Sequence, residues 1–156
     1  MAQKSDIEQV VSKLVEKSKA ITMNDIANEI AAKLGVTHAT AYNYLKRYAL
    51  NKFVKLGCMF VRADVLHNVM NALRQVAEQI AERSVSRSAY VSTIDVLHEL
   101  CIHKRDNYKH LKTASAILSR MYDVVRHKPY RIYFVRATGF KASKRDIEIA
   151  RKLLCL

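Results

Sequence analysis

Apolar side chains recur at helical spacing in three segments of the first fifty residues, at about 5–20, 22–34 and 37–50. Each segment opens on a serine or threonine, the residue types that cap helix N-termini, and the first two carry an acidic residue three positions later. Gly35 lies between the second and third segments and tolerates the left-handed conformation found just past a helix end. The pattern predicts three helices, the last two joined by a tight turn.

The spacing changes to a period of two over residues 53–62, FVKLGCMFVR. Gly57-Cys58 is suited to a two-residue turn with glycine at its first central position. Strands paired across that turn place four apolar residues on one face, namely Val54, Leu56, Met59 and Val61. The other face then carries Phe53, Lys55, Phe60 and Arg62. This separation predicts a half-buried β-hairpin.

One long helix without a breaker is predicted from Asp64 to Arg83. Its apolar stripe alternates steps of three and four residues, through Leu66, Val69, Leu73, Val76 and Ile80. A short stripe of this kind either packs within its own domain or joins two chains. The small polar residues of 84–92 that follow are the best candidate for a domain boundary.

The C-terminal half repeats the earlier order of elements. We predict a helix from Ser92 to about His103, a second from Thr113 that ends before Pro129, a strand over 130–136, and a last helix capped by Ser143. The tetrapeptide FVRA occurs at 60–63 and again at 134–137, each time after a helix and within a strand. Together these features predict a mainly α fold with an internal duplication.

Charge is distributed unevenly along the chain. The net formal charge is +13, and residues 1–62 contribute +5, residues 63–103 contribute −2 and residues 104–156 contribute +10. Such an excess favours a polyanionic partner. No run approaches the ~18 apolar residues of a membrane span, and the N-terminus lacks the apolar core of a signal peptide. We therefore expect an intracellular protein, cytoplasmic and associated with DNA, and no membrane partner.

Residues 27–48, ANEIAAKLGVTHATAYNYLKRY, resemble the helix-turn-helix of winged-helix transcription regulators. Ala31 takes the position where two helices approach closely, and Gly35 takes the turn four residues later. The resemblance covers about residues 5–62 and implies a winged helix-turn-helix domain over 1–63 with a short wing at Gly57-Cys58. A joining helix over 64–88 and a second, divergent winged-helix-like unit over 89–156 complete the predicted organisation.

The resemblance also implies which residues contact DNA. A recognition helix inserts its N-terminal part into the major groove, so the outward residues His38, Thr40 and Asn43 are the candidates for base contacts. The candidates for phosphate contacts in this half are Thr37, Lys46, Arg47, Lys55 and Arg62. Regulators of this superfamily commonly dimerise through a helix after the wing. On that ground the stripe of Leu66, Val69, Leu73, Val76 and Ile80 is predicted to form a homodimer.

The second basic block admits two interpretations. Its segment IHKRDNYKHLK, residues 102–112, has no glycine turn but carries Lys104, Arg105, Lys109 and Lys112. We favour phosphate binding by a divergent winged helix over the alternative, a basic face on a dimerisation domain.

No motif indicates catalysis or a bound cofactor. Phosphate-loop, nucleophile-elbow and HExxH patterns are absent, and the group His98, Cys101 and His103 lacks the four ligands of a zinc site. Three cysteines at long spacings imply no disulfide framework. We expect a non-enzymatic, sequence-specific binder of double-stranded DNA, without metal or small-molecule ligand, that acts as a transcriptional regulator. The alternatives are a plasmid or viral replication initiator or partition protein, and a protein–protein scaffold built on winged-helix folds.

Overall fold

A computed structural model of the chain describes residues 4–101 and 110–155. Over these ranges the protein is mainly helical, with a three-stranded antiparallel sheet and a separate two-stranded hairpin. Its contacts form two compact units. The first runs up to Lys55 and includes Met59–Asp64, and the second comprises Leu56–Cys58 and the chain from Val65 onwards. Within the same described ranges, no helix has both the length and the apolar character needed to cross a bilayer.

The first unit contains three helices and a hairpin: α1 (Lys4–Lys17), α2 (Met23–Leu34), α3 (His38–Tyr48), a 3-10 turn (Leu50–Lys52), β1 (Phe53–Leu56) and β2 (Met59–Arg62). Its core is formed by apolar residues that recur at helical spacing, among them Val11, Val15, Ile26, Ile30 and Leu45. The helix boundaries agree with the predicted ones to within a few residues, because the caps and the apolar period are local signals.

The two faces of the hairpin are not separated as predicted. Phe53, predicted to face solvent, is buried, and Phe60 packs against the core of the first unit. Leu56 and Val61, on the opposite predicted face, are also buried. Residues on both faces of the hairpin are therefore buried. The alternation of residue types within the strands predicts burial of one face only.

The second unit contains α4 (Ala63–Glu82, from Val65 onwards), β3 (Ser88–Ser92), α5 (Thr93–Leu100), α6 (Leu111–Met121), β4 (Val124–Arg126), β5 (Ile132–Arg136) and α7 (Lys144–Leu154). The strand order in its antiparallel sheet is β3-β5-β4, so β5 is central and carries the buried Tyr133 and Val135. Residues 65–88, predicted as a joining segment, group with this unit.

Three predictions about the second unit are wrong. The helix expected to continue to Pro129 ends at Met121, and Val124 and Val125 lie in β4 instead. The strand β3 was not predicted, since its residues resembled a polar boundary. Thr113 does not cap α6; its side chain is buried, and its Oγ1 donates to the carbonyl oxygen of Leu56 at 3.3 Å.

A disulfide joins Cys101 to Cys155, whose Cα atoms are 5.6 Å apart. The sequence analysis did not predict this bond, because the two cysteines are 54 positions apart and come together only through the packing of α7 against α5. The bond connects the residues that follow these two helices. Cys58, in the hairpin turn, is exposed and unpaired among the described residues.

The buried carboxylate of Glu78, on α4, holds the segment that follows β5. It accepts hydrogen bonds from the backbone N–H of Thr138 at 2.6 Å, from Thr138 Oγ1 at 2.7 Å and from Arg74 Nε at 2.9 Å. Burial raises the pKa of Glu78, but these bonds and one from Phe140 N–H outweigh burial and hold the pKa below its ordinary value.

Glu78 is expected to make the stability of the second unit sensitive to acid. Because its pKa is lower in the folded protein, its contribution is fully present above the unfolded value of about 4.5 and is lost as the pH falls through the folded pKa. Urea unfolding should therefore show Glu78→Gln as less stable than the wild type at pH 7, with the difference shrinking below pH 4.5. Glu82→Gln, at an exposed carboxylate, is the matched control. A constant gap down to pH 3 would contradict this role.

Candidate nucleic-acid interface

The turn between α2 and α3 is defined by local hydrogen bonds. Gly35 ends α2 with φ 65° and ψ 32°, and the backbone N–H of Val36 donates to the carbonyl oxygen of Ala31 at 3.2 Å. Thr37 then caps α3 by accepting from the backbone N–H of Thr40 at 3.2 Å. Only glycine adopts this left-handed conformation without strain, so Gly35 determines how sharply α3 departs from α2.

The two sides of α3 differ sharply in exposure. Ala41 and Leu45 are fully buried in the core of the first unit. On the outer side, a shallow depression is bordered by Thr40, Asn43, Tyr44, Lys46 and Arg47. Residues 40, 43 and 47 follow helical spacing, and α3 contains no acidic residue. The helix therefore presents polar and cationic groups to solvent with no anionic group among them.

The three residues predicted to contact bases differ in exposure and in the hydrogen bonds that their side chains already make. Asn43 is exposed, and its side chain makes no hydrogen bond to another described residue. His38 lies with Nε2 3.3 Å from the carbonyl oxygen of Asn24 and stacks on Tyr42 with ring centroids 6.1 Å apart. Thr40 is half-buried, and its hydroxyl accepts from Thr37 Oγ1 at 3.0 Å. Asn43 is thus the most available of the three side chains.

The cations predicted to contact phosphate are also placed differently. Arg47 and Lys55 are exposed, while Lys46 Nζ lies 5.3 Å from the centroid of the Tyr42 ring. A cation in that position is stabilised by the ring face, which also orients it along the outer side of α3. Thr37 is exposed, but its hydroxyl serves as the helix cap.

The predicted phosphate contact of Arg62 is contradicted by the surroundings of its side chain. Its side chain is only 13% exposed and pairs with Asp64, with Nη2 3.0 Å from Oδ2. It also donates to the carbonyl oxygen of Ser18. Arg62 therefore stabilises the fold of the first unit and is not available to a phosphate, which charge counting along the sequence did not reveal.

The second unit has a basic depression beside the start of α6. It is lined by Gly57, Ser115, Lys112, His127 and Arg131, together with Leu111, Ala116, Pro129 and Tyr130, and no acidic residue. A Cβ on Gly57 would lie 3.0 Å from the backbone of Lys112, so the close approach requires glycine. Lys112 is exposed, as predicted for a phosphate contact. Lys104, Arg105 and Lys109 lie outside the described residues.

The stripe predicted to join two chains is mostly inaccessible. Val69, Leu73 and Val76 are buried within the protein itself, and Leu66 and Ile80 are half-buried. The central positions of this stripe are therefore covered within the single chain. No homodimer is expected through its central positions.

A pair of exposed aromatic residues on the sheet of the second unit was missed by the sequence analysis. Tyr90 and Phe134 lie directly opposite each other on β3 and β5, with ring centroids 5.5 Å apart. Residues 88–92 alternate between Ser or Tyr and Ala or Val, and this period of two is the signal that could have revealed the strand.

Among the described residues, no three His, Cys, Asp or Glu side chains lie close enough to hold a metal ion. Cys101 is in the disulfide, and His103 lies outside the described part of the chain.

No protein-family model, curated protein or solved structure matches the chain.

Proposed function

We propose that this protein binds double-stranded DNA through α3, the recognition helix of a winged-helix domain. The order of a helix, two helices joined by a tight turn, and a hairpin supports this proposal. The segment before α2 pairs with the hairpin, where Thr22 forms an antiparallel bridge with Val61 and the N–H of Arg62 donates to the carbonyl oxygen of Ile21 at 2.9 Å. This single bridge lies where a winged helix is expected to add a short strand to its hairpin.

The outer side of α3 is the observation that carries the proposal. Thr40, Asn43 and Arg47 lie along one exposed line of a helix that has no acidic residue. A helix in the major groove reads bases from its N-terminal half, where an asparagine amide can bond adenine with both its donor and its acceptor. Lys46 and Arg47, later in the helix, are placed for the phosphates, which position the protein without reading sequence.

The second unit supports a tandem arrangement. Its order of helix, strand, helix, helix and hairpin repeats that of the first unit, and β3 pairs with the second strand of the hairpin as residue 22 does. By that correspondence α6 takes the place of α3. Lys112 and Arg131, beside the start of α6, then provide additional phosphate contacts.

Replacing Asn43 by alanine is expected to weaken binding to the selected DNA site by about 1–3 kcal/mol while leaving binding to random duplex nearly unchanged. The loss of a base contact removes discrimination only, whereas Arg47→Ala should weaken both and lower the salt dependence of binding. Sites selected from random duplexes, followed by mobility shifts, measure these effects. Asn28→Ala, an exposed asparagine on α2, is the matched control.

An equal loss on selected and random DNA in the Asn43→Ala variant would show that this residue does not read a base. Failure of the wild type to bind any duplex at low salt would overturn the proposed function. Mapping the selected sites to promoters supports a transcriptional regulator, and mapping them to origins supports a replication initiator.

A further inference from the structure

Two large aromatic side chains are exposed on the outer face of the sheet in the second unit. Tyr90 is 67% exposed and Phe134 42% exposed, and they face each other across β3 and β5. Cross-strand packing accounts for the contact between the two rings. It does not account for the ring surface that stays exposed to solvent. Exposed aromatic surface is unfavourable in water unless a partner covers it.

The same face of the sheet is basic. Side chains two residues apart on a strand, and those directly opposite across strands, share one face. Arg136, two residues beyond Phe134 on β5, therefore lies on the face of the aromatic pair. The three strands contain no acidic residue, and Arg136 makes no ion pair with any described residue.

A cavity of about 540 Å³ adjoins this face. Phe134 and Arg136 line it, together with His67, Met70, Asn71, Arg74, Glu78, Met121, Tyr122 and Thr138. Its volume lies in the range of small-ligand sites, which are ~300–1,000 Å³. The charge of Glu78 is compensated by Arg74, 2.9 Å away, so Arg136 is the cation left for an anionic group. The cavity thus combines an apolar wall with an uncompensated positive charge at one side.

We propose that this face binds single-stranded nucleic acid. One base stacks on the exposed ring of Tyr90, a neighbouring base enters the cavity and stacks on the ring of Phe134, and Arg136 contacts the intervening phosphate. Duplex DNA does not satisfy this arrangement, because its base faces are already stacked. A two-fold contact between copies would set this basic face, whose strands carry no acidic residue, against itself, which disfavours a second copy of the chain as the partner. The proposal is independent of α3.

Fluorescence anisotropy with labelled single strands of about 12 thymidines or uridines tests the proposal. Phe134→Leu and Tyr90→Leu, which keep an apolar side chain without a ring, should each weaken binding by roughly 5- to 150-fold. Tyr90→Phe, which keeps the ring, should bind as the wild type does. Arg136→Gln should lower the salt slope of log affinity by about 0.7, the value of one phosphate on a single strand. The two oligomers show whether DNA or RNA is preferred.

A crossed design separates this surface from α3. Arg47→Ala should weaken duplex binding and spare the single strand, whereas Phe134→Leu should do the reverse. Circular dichroism melting shows whether each variant is folded. If a leucine variant does not fold, Arg136→Gln provides the test, because Arg136 is exposed and makes no ion pair with a described residue. Wild-type binding to neither oligomer, or equal affinity in Phe134→Leu, Tyr90→Leu and the wild type, would overturn the proposal.

Discussion

Replacing Cys101 by serine is expected to lower the free energy of unfolding by about 4 kcal/mol, because the disulfide to Cys155 closes a loop between residues 54 apart and so restricts the unfolded chain. The folded protein also loses the covalent link between α5 and α7, while the hydrogen bond from Arg151 Nε to the carbonyl oxygen of Leu100 at 3.0 Å remains. Urea unfolding without reductant measures the loss.

The cysteine variants provide their own controls. Cys155→Ser should cost as much as Cys101→Ser, and the double variant should cost no more than either, because one bond is lost in all three. Cys58→Ser, at the exposed thiol, should change stability little. A reductant should destabilise the wild type but not the double variant. Wild-type unfolding that is unaffected by reductant would show that the bond does not contribute in solution.

The disulfide also affects the expected location of the protein. The sequence predicts an intracellular, DNA-associated protein, whereas structural disulfides are rare inside cells except in hyperthermophilic archaea and bacteria. An intracellular location and an intact disulfide are compatible in an organism of that kind. The redox state of Cys101 and Cys155 in the native host therefore tests whether both expectations hold together.

Elements defined by local signals were predictable from the sequence. Thr22, Thr37 and Ser143 each cap the helix expected of them, since capping depends on a hydrogen bond to a residue three positions later. The 3.6-residue period likewise separates buried Leu45 from exposed Asn43 on α3. Both signals lie within a few residues of chain, so neither depends on the rest of the fold.

Features that depend on distant partners were not predictable in this way. Val124 and Val125 suit a helix or a strand equally well by periodicity, and pairing with β5 decides for a strand. The availability of Arg62 depends on Ser18, 44 residues earlier in the chain. The basic aromatic face requires β3 and β5 to pair, and no local pattern brings Tyr90 and Phe134 together.

Replacing Leu73 by alanine is expected to lower the free energy of unfolding by roughly 2–5 kcal/mol, because this fully buried side chain of α4 would leave a cavity. Leu66→Ala, at a half-buried position of the same helix, should cost less. Since Leu73 is buried within the single chain, both losses should be independent of protein concentration. A stripe that joined two chains would give an unfolding midpoint that rises with concentration, and sedimentation would show Leu73→Ala as a folded monomer beside a wild-type dimer.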